Sequence, residues 1–396
     1  MIIEEKKVNV IGLGYVGLPS ALLLAQKGFN ILGTDISVKL INKLSTKEIS
    51  FDEQEIEKVY LDVIEKDNLN FSCEVEKSDY YLICVPTPCD INNKADLSFV
   101  YKAIDNIILV LGENDIIIIE STIPVGTCKL IKEYIISKSK IKKPKICHCP
   151  ERVLPGNSIK EILNNDRIIG GTDLDVTNEV VNLYKYWTNS KIVSMSSEEA
   201  ELVKLIENSF RDVNIAFANT ISRICRKFSL NSKSVIEAAN LHPRVSILNP
   251  GIGVGGHCIP VDPYFLISQF SKENSLLLAA REINNKQPLF VLEKIINIIN
   301  SKDKLLNIDI LGLAYKINTS DIRESPAIKI IKILLEKYDN NKINLYDPLI
   351  KEKYVLGKKV FKNLEFKEIS LKIILVDHSI FEGINGYDVI RATDLL

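Results

Sequence analysis

The segment Val8-Asn9-Val10-Ile11-Gly12-Leu13-Gly14-Tyr15-Val16-Gly17 decides the fold of the amino-terminal part of this chain. A short apolar run predicts a strand, and the apolar pattern over residues 18–27 predicts a helix. A strand, a Gly-x-Gly-x-x-Gly turn and a helix in this order are typical of a dinucleotide-binding unit, because the backbone can approach a pyrophosphate at the helix amino terminus. We therefore expect Gly12, Gly14 and Gly17 to bind a dinucleotide.

The carboxylate of Asp35 indicates which dinucleotide binds. Asp35 ends a second predicted strand over residues 31–35, where a carboxylate accepts hydrogen bonds from the adenosine ribose. A carboxylate at this place repels a 2′-phosphate, and the following Ile36-Ser37 supplies no arginine to bind one. The sequence therefore predicts NAD rather than NADP as the cofactor.

Apolar strands alternate with helical stretches through the first half of the chain. Further strands are predicted over residues 80–85, 116–120 and 146–149. Near-continuous apolar strands separated by helices predict a Rossmann-type α/β domain with a parallel sheet covered on both faces. Ligands bind beyond the carboxyl ends of such strands, where Gly12, Thr87, Thr122 and Glu151 would lie.

The second half begins with a long predicted helix over residues 198–228, with Ser196 or Ser197 as its N-cap. At about 45 Å it is longer than one domain needs, so we expect it to bridge domains and to offer a dimer surface. A helix over 272–300, interrupted at Pro288, and a second, Rossmann-like α/β region follow, with strands at 308–311, 342–346 and 372–376 and a helix at 326–337. We predict an NAD domain (1–196), a central helical dimerisation region with a cysteine loop (197–300) and a substrate-binding domain (301–396).

The cysteine loop is Asn249-Pro250-Gly251-Ile252-Gly253-Val254-Gly255-Gly256-His257-Cys258, and Asp262 follows four residues later. Its four glycines let the backbone approach a ligand closely. Free cysteine is more often a buried, unreactive residue. In a chain that also carries a dinucleotide fingerprint, however, a thiol in such a loop suggests oxidation through a thiol-bound intermediate.

Other polar residues each allow two interpretations. Lys204, Asn208 and Arg211 share one helix face, which could hold an oxyanion and a phosphate or could be a solvated stripe. Glu151 follows a strand end, where it could activate water or pair with Arg152. The remaining cations could reach a nucleotide or diphosphate or be surface charge; they are His242, Arg244, Lys316 and Arg323.

Composition excludes several classes of function. The 396 residues are 46% apolar and 26% charged with a net charge of −1, which fits a globular protein and gives no reason to expect binding to nucleic acid or to a membrane. The first residues lack a signal-peptide pattern, and eight cysteines without a C-x-x-C pair are typical of cytoplasmic thiols. Cys147-His148-Cys149 has no second ligand pair at zinc spacing, so we expect no metal.

Five segments occur in this chain order: GLGYVG (12–17), ESTIPVG (120–126), CPER (149–152), GVGGHC (253–258) and RESP (323–326). Taken together they resemble the UDP-glucose/GDP-mannose dehydrogenase family, and the resemblance covers the whole chain. It implies an NAD domain, a homodimer formed through the central helix and a UDP-binding domain. It also implies a four-electron oxidation of a UDP-sugar C6 alcohol to a carboxylate, through a thiohemiacetal and a thioester on Cys258, with two NAD reduced.

The same resemblance implies roles for individual residues. Lys204 would be the acid/base and oxyanion partner, Asn208 a further donor, Glu151 the residue that assists thioester hydrolysis, and Asp262 the one that orients water and Lys204. The NAD-contacting positions would include Tyr15, Val16, Asp35, Thr87, Thr122 and Arg323. The substrate-contacting positions would be Arg152, Val153, Lys204, Asn208, Arg211, His242, Arg244, Gly255, Tyr315 and Lys316, with Arg244 reaching the site from the partner subunit.

Within the family, residues 151–156, 165–171, 207–219 and 242–245 are similar to the branch that oxidises UDP-N-acetyl-D-mannosamine. Glu151-Arg152-Val153 departs from the Glu-Phe-Leu that is usual in the UDP-glucose branch. UDP-N-acetylglucosamine and UDP-glucose stay open as alternative substrates. A nucleotide-sugar-binding regulator without catalysis is the alternative of another class, which the presence of Cys258 and Lys204 disfavours.

Overall fold

Two open sheets organise the chain, one in each of two units, Met1–Ile206 and Glu207–Leu396. The computed structural model describes residues 6–48, 53–153, 156–302, 307–366 and 370–396. The finer division into residues 1–196, 197–300 and 301–396 stays a prediction.

The first unit is a doubly wound α/β domain. Its strands are β1 (Lys7–Ile11), β2 (Asn30–Thr34), β3 (Leu69–Ser72), β4 (Tyr80–Ile83), β5 (Ile116–Ile119), β6 (Lys145–His148), β7 (Arg167–Gly171) and β8 (Ile192–Ser196). Its helices are α1 (Gly17–Gln26), α2 (Val38–Ser45), α3 (Gln54–Val63), α4 (Ser98–Ile108), α5 (Thr127–Lys138), α6 (Ser158–Asn164) and α7 (Leu174–Tyr184). The strand order is β3-β2-β1-β4-β5-β6-β7-β8, parallel except between β6 and β7. The predicted parallel sheet is confirmed, with one antiparallel pair added.

Helices on both faces explain the all-isoleucine strand β5. Ile116 and Ile118 pack into the core on one face of the sheet, and Ile117 and Ile119 pack into the core on the other. Alternate side chains of a strand point to opposite faces, so a strand buried on both sides needs apolar residues throughout. Because β1, β4, β5 and β6 are parallel, the residues that follow them lie at one edge of the sheet.

The long predicted helix is confirmed as α8 (Ser197–Lys227). Ser196 Oγ accepts a hydrogen bond from the Glu199 N–H (3.3 Å), and Glu199 Oε2 accepts one from the Ser196 N–H (2.8 Å). This reciprocal pair is a capping box, which satisfies backbone donors at the helix start. The prediction of Ser196 as a cap is therefore confirmed.

The second unit continues with α9 (Ser232–Ala239), α10 (Asp262–Gln269), α11 (Ser275–Asn300) and α12 (Pro326–Lys337). The predicted interruption at Pro288 is wrong, because α11 runs through this proline. A Cβ placed on Gly253 would lie 3.0 Å from Pro288 Cγ, so the proline ring packs against the cysteine loop. Proline removes one helical hydrogen bond, a cost that packing contacts of this kind can offset.

The sheet of the second unit contains β9 (Asn307–Leu311), β10 (Ile343–Tyr346), β11 (Tyr354–Val355), β12 (Lys358–Phe361), β13 (Ser370–Ile374) and β14 (Val389–Arg391). Its order is β11-β12-β10-β9-β13-β14, and β9 lies parallel to both neighbours. The segments that follow β9, β10 and β13 therefore lie at one edge, as expected for a Rossmann-like domain. Within the described ranges, no helix combines the length and the apolar character that crossing a membrane requires.

Candidate active site

The glycine turn after β1 fits a diphosphate. Gly12 has φ +91°, and a Cβ there would lie 2.8 Å from the Cys84 carbonyl oxygen. A Cβ on Gly17 would lie 1.9 Å from the Gly12 carbonyl oxygen, so helix and turn pack without room for a side chain. At Gly14, in contrast, no atom lies within 4 Å of an added Cβ. The open side of the turn precedes a helix whose first turn carries no acidic residue, so an anion would meet no repelling carboxylate.

Asp35 lies just beyond β2 and holds two backbone groups. Its Oδ2 accepts a hydrogen bond from the Leu13 N–H in the glycine turn, and its Oδ1 accepts one from the Ser37 N–H, both at 2.9 Å. Each carboxylate oxygen has a second lone pair. The half-buried side chain therefore keeps acceptor capacity for a ribose hydroxyl while it fixes the turn.

We predict that Asp35→Ala raises the KM for NAD at least about tenfold, a cost of about 1.4 kcal/mol, because both the ribose acceptor and a bond to the turn are lost. Adding Ile36→Arg should raise the use of NADP, since a guanidinium can pair with a 2′-phosphate. NADH and NADPH formation at 340 nm measures both effects. Asp62→Ala, an exposed change on α3, is the control, and an unchanged KM for NAD in Asp35→Ala would contradict a ribose contact.

Glu151, just beyond β6, faces a lysine on α8. The Lys204 ammonium lies 4.0 Å from Glu151 Oε2, and both side chains are buried. Burial raises the pKa of Glu151, and the Lys204 charge and the Val153 N–H act in the opposite direction. Arg152 donates to the Asp166 carbonyl oxygen at 2.9 Å. Lys204 is therefore a cationic partner of Glu151 that the predicted pairing with the adjacent Arg152 did not include.

A carboxylate one turn earlier on α8 fixes the place of Lys204. Glu201 is buried and accepts hydrogen bonds from the N–H groups of Gly126 (2.5 Å) and Cys128 (2.8 Å) at the amino terminus of α5. Negative charge is favourable at a helix amino terminus. Glu201 therefore anchors the start of α8, and Lys204 follows three residues later.

Glu151 is bonded to a buried polar cluster that the sequence did not predict, formed by Glu120, Tyr184 and Arg167. The Glu151 N–H donates to the Glu120 carbonyl oxygen (3.4 Å), and the Glu120 carboxylate accepts a hydrogen bond from the Tyr184 hydroxyl. Arg167 is also buried, donates to the Ile162 carbonyl oxygen (3.1 Å) and lies 5.7 Å from the Tyr184 ring centre. The one sequence signal for Glu120 is its place in the ESTIPVG segment, and that segment does not indicate that Tyr184 is its partner.

His148 in the Cys147-His148-Cys149 segment has a structural environment. Its Nδ1 lies 2.8 Å from the Ile119 carbonyl oxygen, and burial lowers its pKa to about 3, so the ring is neutral. Both cysteines pack in the apolar core. Across the ranges that the structure describes, no group of three His, Cys, Asp or Glu residues is arranged to hold a metal.

In the second unit, Asn208, Asp262 and the Cys258 backbone lie together. Asn208 Nδ2 donates to Asp262 Oδ2 at 2.5 Å, and both side chains are buried. The Asp262 N–H, at the start of α10, donates to the Cys258 carbonyl oxygen at 2.8 Å. Cys258, whose thiol is half-buried, therefore lies shortly before the first residue of α10, Asp262. The carboxylate of Asp262 is in turn bonded to the Asn208 amide.

The cysteine loop is anchored at Gly251 by two buried amide side chains. The Gly251 N–H donates to Asn219 Oδ1 (2.9 Å), and its carbonyl oxygen accepts from Gln287 Nε2 (3.1 Å). Asn219 belongs to α8 and Gln287 to α11, so this amide clamp ties the loop to both helices. Asn219 in turn donates to Asn284 (3.1 Å), which donates to the carboxylate of Asp212 (2.8 Å). Sequence reasoning missed these residues, although Asp212 and Asn219 are polar at a seven-residue spacing.

The remaining sequence-predicted residues are mostly accessible. Thr87, Thr122, Arg152, Val153 and Tyr315 are half-buried; Arg211, His242, Arg244, Lys316 and Arg323 are exposed. The Arg323 guanidinium pairs with Asp321 in its own loop, at 2.6 Å. Cations that bind a diphosphate have no partner until it arrives, and unpaired charges are costly to bury. The exposure of Arg211, Arg244 and Lys316 therefore agrees with a role in diphosphate binding.

Comparison with known proteins covers nearly the whole chain. Three models of the UDP-glucose/GDP-mannose dehydrogenase family match: the NAD binding domain at residues 6–188, the central domain at 198–286 and the UDP binding domain at 309–393. A UDP-N-acetyl-D-mannosamine dehydrogenase from Methanocaldococcus jannaschii is 41% identical over 389 residues, which is 97% of this chain and 88% of that protein.

Solved structures agree with this match. The structure of a UDP-D-ManNAc dehydrogenase from Pyrococcus horikoshii superposes with a TM-score of 0.89 at 33% identity, over 98% of this chain and 96% of that one. The UDP-N-acetyl-mannosamine dehydrogenase Cap5O from Staphylococcus aureus superposes with a TM-score of 0.88 at 34% identity, over 98% and 100% of the two chains.

Proposed function

The chain belongs to the UDP-glucose/GDP-mannose dehydrogenase family, and from that premise we propose that it oxidises UDP-N-acetyl-D-mannosamine at C6 to UDP-N-acetyl-D-mannosaminuronate. The cofactor is NAD, for which the family's NAD binding domain matches residues 6–188. Relatives named for the mannosamine substrate, among them one that is 41% identical, support this sugar over glucose. The UDP binding domain at residues 309–393 supports the nucleotide part of the substrate.

When bound, NAD supplies the acceptor for one hydride in each of two oxidations. In the first, the C6 alcohol loses a proton and a hydride and becomes an aldehyde. Lys204 is the residue that exchanges this proton and faces the oxyanion, with Asn208 as a further donor. The ion pair between Lys204 and Glu151 supports this assignment, because it holds the Lys204 ammonium in a fixed place from which it can donate to an oxyanion.

In the second stage the Cys258 thiolate adds to the aldehyde carbon, and the oxygen takes a proton from Lys204 to form a thiohemiacetal. Loss of a second hydride and a proton gives a thioester, and water then attacks its carbonyl carbon. Glu151 takes one proton of that water and Cys258 leaves as a thiolate, so the products are the uronic acid, which ionises to the uronate, and the Cys258 thiolate that the next cycle needs. Asp262 orients the water, for which its bond to Asn208 provides a fixed direction.

One observation carries this proposal: Cys258 ends a glycine loop held at Gly251, and its carbonyl oxygen is bonded to the helix start at Asp262. An inert structural cysteine would need neither the amide clamp nor the buried Asn208–Asp262 pair. A covalent intermediate needs both, because a misplaced thiol would let the aldehyde escape between the two oxidations.

A substrate panel tests the function directly. The enzyme is incubated with NAD and separately with UDP-N-acetyl-D-mannosamine, UDP-N-acetyl-D-glucosamine and UDP-glucose, and NADH is followed at 340 nm. The expected result is fastest turnover of the mannosamine sugar, with two NADH formed per sugar. Binding of a UDP-sugar without NADH formation would instead favour the non-catalytic regulator.

We also propose that the enzyme is a homodimer formed through α8. Three side chains of this helix, Phe210, Phe217 and Ile224, are 68%, 49% and 47% exposed, and Phe228, which follows its last residue, is 71% exposed. The first three recur every seven residues and so lie along one face. An exposed apolar stripe of this kind marks a protein–protein surface. A second copy is the natural occupant, because a two-fold axis lets the same stripe contact itself.

Complementation tests whether Arg244 acts on the site of the other subunit. Arg244→Ala and Cys258→Ser are each expected to be nearly inactive. A mixed dimer would have one site with an intact Cys258 and the partner subunit's Arg244. After equal mixing and subunit exchange, about a quarter of wild-type activity should return, because about half of the dimers are mixed and one of their two sites is complete. Native mass spectrometry verifies that mixed dimers form. Mixed dimers without recovered activity would show that Arg244 does not act across the dimer.

A further inference from the structure

The loop of residues 312–325, between β9 and α12, is fastened at its tip. Asn318 has a left-handed φ of 54°, and its N–H donates to His378 Nδ1 at 2.8 Å. Its side chain exchanges two more hydrogen bonds with Ser379: Nδ2 donates to Ser379 Oγ (2.8 Å), and Oδ1 accepts from the Ser379 N–H (2.9 Å). Three hydrogen bonds thus join the exposed tip of this loop to the segment that follows β13.

His378, which accepts the hydrogen bond from the loop tip, is buried, and both of its ring nitrogens have a partner. Because His378 Nδ1 accepts from Asn318, the ring proton is on Nε2, which faces Asp347 Oδ2 at 3.4 Å. The same Asp347 oxygen accepts from the Leu313 N–H (2.7 Å), at the start of the loop. Asp347 therefore holds the loop's beginning directly and its tip through His378. Burial acts to raise the pKa of Asp347, but the His378 and backbone hydrogen bonds lower it overall, as expected for an ionised acceptor.

The far side of this loop packs against the cysteine loop. The Gly256 N–H donates to the Arg323 carbonyl oxygen at 3.0 Å. A Cβ on Gly255 would lie 2.7 Å from Tyr315 Cβ, and one on Gly256 would lie 3.0 Å from the Tyr315 ring. The two glycines thus leave no room for a side chain between the cysteine loop and Tyr315, so we expect a shift of Tyr315 to shift the glycines. Cys258 follows two residues after Gly256.

We propose that Asp347 and His378 are positioning residues, which hold the 312–325 loop at Asn318 and through Tyr315 and Arg323 set the place of the loop that carries Cys258. None of the three residues that form this tether, Asp347, His378 and Asn318, lies in a sequence motif discussed above. The inference rests on the proposed function only for the role of Cys258. The mechanical link itself can be measured without substrate.

Hydrogen exchange with mass spectrometry measures this link in the full-length protein. We compare wild type with His378→Phe, which keeps a ring but removes both nitrogens, and with Asn318→Ala, which strains the left-handed backbone and removes the Ser379 bonds. Both are expected to speed exchange in peptides that cover residues 313–325 and, as the decisive result, in peptides that cover 252–258. Asn318→Gly tolerates the φ and keeps its N–H, so its effect should be smaller.

A matched control exists in the first unit. Asn93 is exposed and also left-handed, with φ 57°, so Asn93→Ala reproduces the backbone strain without the tether. It should leave exchange in both loops unchanged. Faster exchange confined to residues 313–325 in the Asn318 variants would overturn the proposal, as would no change in either loop. If His378→Phe fails to fold, the two Asn318 variants still decide the question.

Kinetics provide a second readout that a purely structural role would not change. At saturating NAD and UDP-sugar, kcat per folded molecule of Asn318→Ala should fall about ten- to a hundredfold, because a thiol displaced by about 1 Å reacts poorly. A role in stability alone would lower the Tm and leave kcat of the folded fraction unchanged, which would also overturn the proposal. Wild-type protein that oxidises no UDP-sugar would refute the proposed function instead, and the exchange result would still test the tether.

Discussion

Cys258→Ser is expected to lower the rate of uronate formation by about three orders of magnitude, or about 4 kcal/mol in transition-state free energy. A serine hydroxyl is not ionised near neutral pH, whereas a cysteine forms the thiolate that attacks the aldehyde. A serine ester, if formed, also hydrolyses more slowly than a thioester. The first oxidation needs no thiol, so a trace of the aldehyde-level product should be detectable by mass spectrometry.

Binding must be measured alongside the rate. Calorimetric titration of Cys258→Ser with NAD and with the UDP-sugar should give affinities close to wild type, because a hydroxyl replaces a thiol of similar size. The exposed Cys73 provides a matched control in Cys73→Ser, which should keep full activity. If Cys258→Ser retained more than about a tenth of wild-type kcat, a loss below about 1.4 kcal/mol, covalent catalysis through this residue would be wrong.

Glu151→Gln is expected to stop the reaction at the thioester. The amide keeps the shape of the side chain but cannot take a proton from water, so hydrolysis should slow more than either oxidation. Rapid mixing should show a burst of NADH followed by slow turnover. Intact-mass measurement should find enzyme that carries the UDP-uronyl group. Glu133→Gln, an exposed change on α5, should show neither effect.

The same variant has a pH signature. Glu151 acts as a base only when ionised, so thioester hydrolysis should fall as pH falls through its pKa. Because burial raises that pKa, the acid limb should lie above the pH at which an ordinary carboxyl titrates. Glu151→Gln should lack this limb. A slow variant with neither burst nor adduct would assign hydrolysis to Asp262 or Lys204 instead.

Local patterns were sufficient to predict the part of the fold that binds the cofactor. The apolar run before Gly12 and the isoleucines of β5 are continuous, and such runs predict strands that are covered on both faces of a sheet. The sequence also predicted a cap at Ser196 or Ser197, and the structure assigns it to Ser196, which bonds reciprocally with Glu199 one turn later. The strand β7 was missed, since it carries two glycines and a buried arginine, Arg167.

Contacts between distant segments account for what the sequence did not predict. Pro288 predicts the end of a helix from local sequence alone, yet α11 runs through it, and the proline ring packs on Gly253, which is distant in sequence. Glu120 and Tyr184 are 64 residues apart and meet only in the folded unit. The predicted roles of Cys258, Lys204, Glu151, Asn208 and Asp262 came from the family resemblance, and they stay predictions until the variants are measured.

The amide clamp on Gly251 has a consequence for how the enzyme responds to ionic strength. Asn219 and Gln287 are uncharged and buried, so the two hydrogen bonds that they make to Gly251 join neutral groups, which dissolved ions do not screen. Exposed cations such as Arg211 and Lys316 are different, because the Debye length falls from about 10 Å at 0.1 M salt to about 3 Å at 1 M. Added salt should therefore weaken capture of the charged nucleotide while the turnover of captured molecules persists.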